Sequence, residues 1–233
     1  MTRDMPRGVF VTGTDTGVGK TIVTAALIRA LTREGLRVVG MKPVAAGAAA
    51  TADGLRNADA LALLAAGNVK APYETVNPYC FAAPIAPHIA ARDAGISIDI
   101  EHLQRRFGVL ASAADCVIVE GAGGWLTPIS ASLTMADVAA ALALPVVLVV
   151  GLKLGCLNHT LLTARALAAH GAGPAGWIGN SIEHAFARAA DNIAALENLL
   201  GEPAATIVPY TTHAPEMLVL APAPARRLLG LPR

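Results

Sequence analysis

"VFVTGTDTGVGKT", residues 9–21, joins a short β-branched run to a glycine-rich turn and the start of an apolar, helix-like segment. Gly17 and Gly19 permit positive φ and a close approach of the backbone to a ligand. The N–H groups of such a turn and the N-terminus of the following helix converge on one point, where they can bind an anion. The stretch therefore predicts a strand, a phosphate-binding loop and a helix.

The spacing within this loop differs from the common phosphate-loop pattern. That pattern places four residues between its first glycine and the final Gly-Lys-Thr. Here five residues separate Gly13 from Gly19. Lys20 would still bring a positive charge to the β- and γ-phosphates, and the Thr21 hydroxyl would bind Mg²⁺. The alternative is a glycine-rich turn that binds no ligand. The position of Gly-Lys-Thr between a strand and a helix argues against this alternative.

The composition favours one globular domain that acts on small molecules. The chain has 233 residues, of which 54% are apolar and 15% are charged, and its formal net charge is +1. This balance lacks the concentrated basic surface of nucleic-acid-binding proteins. The three cysteines have no CxxC spacing, which argues against a zinc site or a disulfide framework. The sequence shows no targeting or membrane-spanning segment, so we expect a cytoplasmic location without membrane partners.

Short β-branched runs alternate with longer Ala- and Leu-rich segments along the whole chain, 1–233. This alternation predicts a single-domain α/β fold with a doubly wound, mostly parallel sheet and helices on both faces. The phosphate loop at 13–21 makes it a fold of the P-loop NTPase type. The predicted strands are 8–13, 36–43, 115–121, 145–151, 175–180 and 205–210. The predicted helices are 19–34, 57–66, 99–114, 134–143, 157–170 and 185–200. The small and polar segment 44–59 is predicted to be an active-site loop, because long loops at strand ends often carry function.

Charged residues end two of the predicted strands. Glu120 follows four apolar residues and precedes GAGG (121–124), whose glycines let the backbone approach a ligand. Lys42 ends the second strand, and Pro43 forces an extended exit from it. Because parallel strands end at the same edge of a sheet, we expect Lys20, Lys42 and Glu120 to meet there, with Mg²⁺ on the carboxylate. The alternatives are an acid and a lysine that simply reach solvent at their strand ends.

Two further features have more than one interpretation. Asp59 lies in the first turn of a predicted helix, where compensation of the helix dipole is a sufficient explanation by itself. The turn 155–158 leads from a buried strand into a helix, so its N–H groups can receive a carboxylate or a phosphate. Lys153 would serve the same anion or reach solvent, and the sequence leaves both open.

Taken together, these motifs resemble those of the dethiobiotin synthetase family. The similar stretches are FVTGTDTGVGKT, MKPVAAG, DGLRNADALAL, VNPY, PHIAA, VEGAGGWLTPIS, ADVAAALALPVVLVVGLKLGCLNH, AGWIGN and VPY. They extend almost to residue 210, and the five-residue spacing of the phosphate loop is the spacing that this family has.

The resemblance implies an ATP-dependent ligase of biotin biosynthesis. The substrate would be 7,8-diaminononanoate, which takes up CO₂ on one amine as a carbamate. ATP would phosphorylate that carbamate to a carbamic–phosphoric anhydride. Attack by the second amine would then close the cyclic urea of dethiobiotin, with ADP and phosphate as the other products.

The resemblance also implies a role for individual residues. Thr16, Lys20 and Lys42 would be catalytic, and the Mg²⁺ ligands would be Thr21, Asp59 and Glu120. The residues that contact ATP would be Gly17, Val18, Gly19, Lys20, Thr21, Ile22, Asp59, Glu120, Gly121, Ala122, Gly123, Asn180, Ser181, Pro209, Tyr210 and Thr211. Of these, Asn180, Pro209 and Tyr210 would surround the adenine, although an Asn180 that only caps backbone groups would look identical in sequence. The diamine substrate would contact Lys42, Ala46 and, from the neighbouring subunit of a homodimer, Gly155, Cys156, Leu157 and Asn158.

Two positions depart from the family pattern. Gly17 stands where the family often has Glu, and Ala46 stands where it often has Ser. The missing hydroxyl at Ala46 removes a possible hydrogen bond worth about 0.5–1.5 kcal/mol, so we expect weaker substrate binding without loss of activity. Trp125, Trp177 and His88 are interpreted as packing residues.

Two other functions are compatible with a phosphate loop. A nucleotide-driven switch of the partitioning or cell-division type would typically carry another lysine early in the loop, where this chain has Thr14 and Asp15. Membrane-associated switches also end in a basic amphipathic helix, whereas APAPARRLLGLPR (221–233) is short and interrupted by prolines. A cobyrinate-type amide synthase would need a glutaminase domain, for which the chain has no room. Whether 211–233 covers the nucleotide is left open.

Overall fold

The computed structural model describes residues 8–212 and 217–231, which form an α/β fold. The strands are β1 (Gly8–Gly13), β2 (Val38–Met41), β3 (Val44–Ala46), β4 (Ala49–Thr51), β5 (Gly54–Arg56), β6 (Tyr79–Phe81), β7 (Cys116–Glu120), β8 (Val146–Leu152), β9 (Pro174–Ser181) and β10 (Thr206–Val208). The helices are α1 (Lys20–Arg33), α2 (Ala58–Ala66), α3 (Tyr73–Val76), α4 (Pro87–Asp93), α5 (Ile100–Ala113), α6 (Met135–Leu142), α7 (Cys156–Ala169), α8 (Ala189–Leu200) and α9 (Pro222–Leu228).

The centre of the fold is a parallel sheet with the strand order β10-β9-β8-β1-β7-β2. Every residue of β1, β7 and β8 is buried. This burial explains why these strands have no polar alternation, since helices cover both faces. On one face the core is formed with α1, α2 and α9, and on the other with α5, α6, α7 and α8. The predicted doubly wound α/β fold is confirmed.

The prediction that 44–59 is a loop is wrong. Val44–Ala46 forms β3, which pairs in parallel with β6. Ala49–Thr51 and Gly54–Arg56 form an antiparallel hairpin, closed where the Thr51 hydroxyl donates to the Gly54 carbonyl at 2.7 Å. These strands are only three residues long, and β3 and β4 are rich in alanine, so neither β-propensity nor alternation marks them in the sequence.

The proline-punctuated segment after α2 also contains more regular structure than the sequence predicts. α3, β6 and α4 lie between α2 and α5, and each has seven residues or fewer. The predicted helix 185–200 begins only at Ala189, after Arg188 with a φ of 59°. Arg188 delays the start of the helix, because a residue whose backbone is in the left-handed region cannot be part of a right-handed helical turn.

The C-terminal residues 217–231 pack on α1. Arg29 Nη1 donates to the Leu218 carbonyl at 2.9 Å, and the Arg226 guanidinium lies 3.0 Å from the Glu34 carboxylate. α9 is helical although Pro222 and Pro224 lie in its first turn, where proline is tolerated. Residues 213–216 and 232–233 lie outside the described residues. Within 8–212 and 217–231, we find no helix with the length and apolar character needed to cross a membrane.

Candidate active site

The phosphate loop connects the end of β1 to the first residue of α1. Gly17 and Gly19 have φ values of 75° and 82°, in the left-handed region. Gly19 is also the N-cap of α1, and a Cβ atom there would overlap the side-chain amide of Asn180. A Cβ on Gly17 would meet nothing within 4 Å. Gly17 is therefore required only by its backbone conformation, whereas Gly19 is required by its conformation and by the close approach of β9.

Lys20 is held by its own loop. Its Nζ donates to the Asp15 carbonyl at 2.8 Å, and the Thr16 N–H donates to the Asp15 carboxylate at 2.7 Å. The side chain is buried, and this burial, with the nearby charge of Lys42, lowers the pKa of the Lys20 ammonium to about 8. An anion bound in this loop would stabilise the charged form of Lys20.

Lys42 lies between two carboxylates at the edge of the sheet where β2 and β7 end. Its Nζ is 2.6 Å from Glu120 Oε1 and 2.8 Å from Asp59 Oδ2. The side chains of Lys42 and Glu120 are 5% and 1% exposed, whereas that of Asp59 is 41% exposed. The structure thus brings together Lys20, Lys42 and Glu120, as the strand ends predict, and adds Asp59, which only the family resemblance connects to them. The formal charges of the four side chains sum to zero.

The pKa values of this cluster follow from burial opposed by ion pairing. Burial alone would lower the pKa of Lys42, but the charges of Glu120 and Asp59 outweigh it and raise that pKa above its usual value. Burial would likewise raise the pKa of Asp59, but the charge and hydrogen bond of Lys42, helped by Thr21, hold it below the usual range. At neutral pH Lys42 and Asp59 are therefore both charged.

The oxygen atoms around Lys42 fit a divalent cation. The Thr21 hydroxyl donates to Glu120 Oε1 at 2.9 Å, and Asp59 contacts the same lysine. Glu120 Oε2 is buried, and among the described residues it has no hydrogen-bond partner. A hydroxyl and two carboxylates beside a phosphate loop are the ligand types that Mg²⁺ prefers.

A cleft of about 510 Å³ opens over this cluster. Its lining includes six residues of the predicted site, namely Thr16, Lys42, Ala46, Asp59, Ala122 and Gly123. Gly121 lies below them, where its N–H donates to the Val11 carbonyl at 3.0 Å. The glycine-rich turn after β7 thus forms one wall of the cleft, as expected from a backbone that approaches a ligand.

The residues predicted to surround the adenine lie on the other side of β1. Asn180 and Ser181 end β9, and the buried Asn180 amide donates to the Val18 carbonyl at 2.9 Å. Asn180 thus fastens β9 to the phosphate loop through a backbone carbonyl, which is the kind of contact that the sequence left open as an alternative to adenine binding. Pro209, Tyr210 and Thr211 follow β10, and the exposed Tyr210 ring packs edge-on against His184 at 5.7 Å. Ile22 lies half-buried in the first turn of α1.

The turn 155–158 lies apart from the Lys42 cleft in this chain. Gly155, with a φ of 93°, is the N-cap of α7. Cys156 is buried, Leu157 is half-buried and Asn158 is exposed. None of residues 155–158 is among those that line the cleft. Lys153 Nζ lies 4.0 Å from Asp15 Oδ2, so its side chain turns toward the phosphate loop.

Known proteins resemble this chain over most of its length. A family model described as "AAA domain" matches residues 7–216. The ATP-dependent dethiobiotin synthetase BioD of Xanthomonas oryzae pv. oryzae (strain PXO99A) is 48% identical over 209 residues, which cover 90% of this chain and 93% of that protein. The ATP-dependent dethiobiotin synthetase BioD 1 of Salmonella typhi is 47% identical over 211 residues, with 91% and 92% covered. The chain belongs to the dethiobiotin synthetase family.

Solved structures with similar folds come from other P-loop proteins. The MinD cell division protein of Aquifex aeolicus has a TM-score of 0.59 and 16% identity, with 97% of this chain and 98% of that chain covered. A ParA family ATPase from Chlorobium tepidum has a TM-score of 0.55 and 16% identity, with 96% of both chains covered. At this identity the likeness shows the fold alone, which is the fold that this dethiobiotin synthetase family member shares with them.

Sequence reasoning missed several residues that shape the site of this family member. Asn57 and Thr127 line the cleft, and Asn57 caps α2. Asn77 donates to the Lys42 carbonyl at 2.7 Å. The only local sequence signal for this hydrogen bond is the Asn-Pro dipeptide at 77–78. It marks a turn in which the asparagine side chain can bond to backbone groups. Trp125 and Trp177 are buried, and His88 is half-buried with a buried Nδ1.

Proposed function

We propose that this chain is an ATP-dependent dethiobiotin synthetase that acts as one P-loop α/β domain per subunit in the cytoplasm. The reaction converts 7,8-diaminononanoate, CO₂ and ATP to dethiobiotin, ADP and phosphate. Family membership supports the reaction class. The observation that carries the proposal for this chain is the buried ion pair of Lys42 with Glu120, extended to Asp59, beside the phosphate-loop lysine.

The chemistry requires no covalent bond to the protein. One amine attacks CO₂ and loses a proton, which gives a carbamate. A carbamate oxygen attacks the γ-phosphorus of ATP, and the bond to ADP breaks. The second amine then attacks the carbamoyl carbon, the bond to phosphate breaks, and loss of a proton leaves the cyclic urea. Catalysis in this scheme rests on positioning and on neutralisation of charge.

Two lysines supply the positive charge in this proposal. Lys20 would contact the β- and γ-phosphates, and Lys42 the oxygens shared between the carbamate and the transferring phosphoryl group. The hydroxyl of Thr16, which lines the same cleft, would hold a phosphoryl oxygen together with backbone N–H groups of the loop. Fixed cations in a buried site stabilise developing negative charge far more than mobile ions in water.

Mg²⁺ would be held by Thr21, Asp59 and Glu120, and when bound it would shield the charge of the phosphates. In the structure the Lys42 ammonium contacts both carboxylates. With a divalent cation bound to these carboxylates, the Lys42 ammonium would be available to the substrate. The added cation would make the net charge of the cluster positive, which suits the anionic reactants.

The remaining contacts follow the layout of the sheet. ATP would extend from Lys20, Gly121 and the cleft toward the ends of β9 and β10, with its adenine near Asn180, Pro209 and Tyr210. Ile22, Ser181 and Thr211 would border the nucleotide there. Ala46, whose carbonyl accepts the Asn57 amide at 3.3 Å, would bound the diamine without a side-chain hydrogen bond.

We infer that the active unit is a homodimer. The diamine carries a carboxylate at its far end, and the N–H groups of 155–158 are suited to bind it. These residues lie away from the Lys42 cleft of their own chain, so the carboxylate would be bound by the partner subunit. Leu154 and Leu162 beside this turn are 88% and 58% exposed, and an interface would cover them.

The experiment is a phosphate-release assay with single omissions. We expect the purified protein to release phosphate from ATP only when both diaminononanoate and bicarbonate are present, and dethiobiotin should appear in equal amount. Equal ATPase activity without the diamine would overturn the proposal and favour a nucleotide-driven switch. Omission of Mg²⁺, with a chelator present, should abolish the release.

A further inference from the structure

Tyr73 lies at the centre of a hydrogen-bonded chain behind the Lys42–Asp59 ion pair. Its hydroxyl accepts the backbone N–H of Asn57 at 2.6 Å and donates to Asn77 Oδ1 at 2.9 Å. Asn57 and Asn77 are 6% and 2% exposed, so these bonds are shielded from water. We refer to Asn57, Tyr73 and Asn77 as the Tyr73 brace.

The Asn77 arm of the brace fixes the backbone of Lys42. Asn77 Nδ2 donates to the Lys42 carbonyl at 2.7 Å, and the Lys42 N–H donates to the Val76 carbonyl at 2.8 Å. Both backbone polar groups of Lys42 are therefore bound by two consecutive residues at the end of α3. The strand β2 has already ended at Met41, so these bonds replace the sheet as the support of Lys42.

The Asn57 arm fixes the helix turn that carries Asp59. Asn57 Oδ1 accepts the N–H groups of Asp59 at 3.0 Å and Ala60 at 3.3 Å, which makes Asn57 the N-cap of α2. Its Nδ2 donates to the Ala46 carbonyl at 3.3 Å. One side chain thus connects the start of α2 to the cleft wall, while its backbone N–H is bound to Tyr73.

We propose that Tyr73 is a positioning residue for the Lys42 and Asp59 side chains. The two arms meet at its hydroxyl, so this atom helps to set how the Lys42 backbone stands relative to the first turn of α2. The Arg56 guanidinium lies 4.2 Å above the Tyr73 ring and holds the ring in place. Tyr73 does not line the cleft, so it acts through Asn57 and Asn77. The inference deepens the proposed function and rests on it for the identity of the reaction.

The test compares Tyr73→Phe with a matched control, Tyr79→Phe. The Tyr79 hydroxyl accepts the Asp99 N–H at 2.9 Å, away from the cleft. Each substitution removes one phenol oxygen that accepts a backbone N–H, and only the first interrupts the brace. A role confined to folding predicts a change in Tm but no difference between the variants at Lys42 or in Mg²⁺ binding.

The first readout requires neither catalysis nor metal. Reductive methylation of the nucleotide-free proteins, followed by mass spectrometry, reports how fast the Lys42 amine reacts relative to the other lysines of the same sample. We expect faster modification of Lys42 in Tyr73→Phe, because the amine is no longer held against Asp59, and the wild-type rate in Tyr79→Phe. Equal Lys42 rates in the two variants would overturn the proposal.

The second readout is the Mg²⁺ affinity in the presence of ATP, measured by calorimetry without the diamine. Loss of a residue that orients a metal ligand typically weakens metal binding or activity by about 10- to 100-fold, and we expect a drop in this range for Tyr73→Phe only. An affinity equal to that of Tyr79→Phe would also count against the brace. If Tyr73→Phe does not fold, Asn77→Ser, which shortens the arm to Lys42, replaces it in both measurements.

These outcomes separate the brace from the proposed function. If the wild-type protein releases no phosphate in response to the diamine, the proposed reaction fails. The Lys42 reactivity and the Mg²⁺ affinity would still decide whether Tyr73 positions the ion pair. If the reaction is as proposed and both readouts are unchanged, the brace alone is rejected.

Discussion

The ammonium of Lys42 lies 2.6 Å from Oε1 of Glu120, and both side chains are almost completely shielded from solvent. A buried ion pair of this kind adds little net stability, because the desolvation of both charges offsets their attraction. Removal of one partner is costly, since it leaves the other charge buried and unpaired. The arrangement is therefore easier to explain by a catalytic requirement for the lysine than by stability.

Lys42→Ala should abolish most of the turnover and should also destabilise the fold. The second effect follows because Glu120 is left buried without its cation, a change that typically costs about 3–5 kcal/mol. The double variant Lys42→Ala/Glu120→Gln removes both charges, and we expect it to recover most of the free energy of unfolding but none of the activity. Urea denaturation and phosphate release measure the two effects separately. Unchanged turnover in Lys42→Ala would remove Lys42 from the catalytic group.

The sequence predicts the charged cluster because a simple geometric rule applies to it. Lys42 and Glu120 end parallel strands of one sheet, and Lys20 follows a third, so all three must reach the same edge. Asp59 has no such marker, and only the family resemblance connects it to the cluster.

The parts that the sequence does not predict depend on contacts between distant segments. Asn77 bonds to Lys42 across 35 residues, and β3 pairs with β6 across a similar distance. A short polar residue near a proline is common in turns, and nothing local specifies which carbonyl it will bind. The hairpin at 49–56 has alanines where strands usually have β-branched residues, so its propensity argues against the structure that it forms.

ATP affinity should fall as the pH rises above the pKa of Lys20. That pKa is lowered to about 8, mainly by burial and then by Lys42. At a pH below this value, Lys20 is already charged in the free protein, so ATP binding takes up no proton there. Above it, binding must take up a proton, because the phosphates favour the ammonium, and the affinity then falls by up to about tenfold per pH unit. Calorimetry in buffers of different ionisation enthalpy would detect the proton uptake.

Lys20→Arg is the control for this pH dependence. Arginine stays charged over the whole range, so the ATP affinity of the variant should be flat where that of the wild type declines. A wild-type affinity that is equally flat would mean that Lys20 does not face the phosphates.

Asp59→Asn should weaken Mg²⁺-dependent ATP binding while leaving binding without metal almost unchanged. The substitution removes one of the two carboxylates near Lys42 and retains the shape of the side chain. Asp53→Asn, at an exposed position in the hairpin turn, is the matched control and should behave as the wild type. The measurement is an ATP titration with Mg²⁺ and with a chelator, and an equal loss under both conditions would argue against a metal ligand at position 59.

Gly19→Ala should be far more damaging than Gly17→Ala. Both glycines have positive φ, so each alanine carries a similar backbone strain of about 1–2 kcal/mol. Only the methyl group at position 19 overlaps the Asn180 amide, because position 17 faces open space. We expect a larger loss of stability and of ATP affinity for Gly19→Ala, with part of the stability recovered in Gly19→Ala/Asn180→Ala. Equal losses for the two single variants, measured by denaturation and ATP titration, would contradict this account.

Leu162→Glu should convert the proposed dimer to monomers. Leu162 is 58% exposed on α7, the helix that begins at the turn 155–158, and a buried glutamate at a subunit contact would be strongly unfavourable. Because the partner turn would no longer reach the diamine carboxylate, the KM for the diamine should rise while ATP affinity stays the same. Analytical ultracentrifugation and steady-state kinetics measure the two consequences. Leu199→Glu on α8 is the control, because this leucine is 50% exposed, and the variant should remain dimeric. If Leu162→Glu sediments like this control and has the same KM, the subunit contact lies elsewhere.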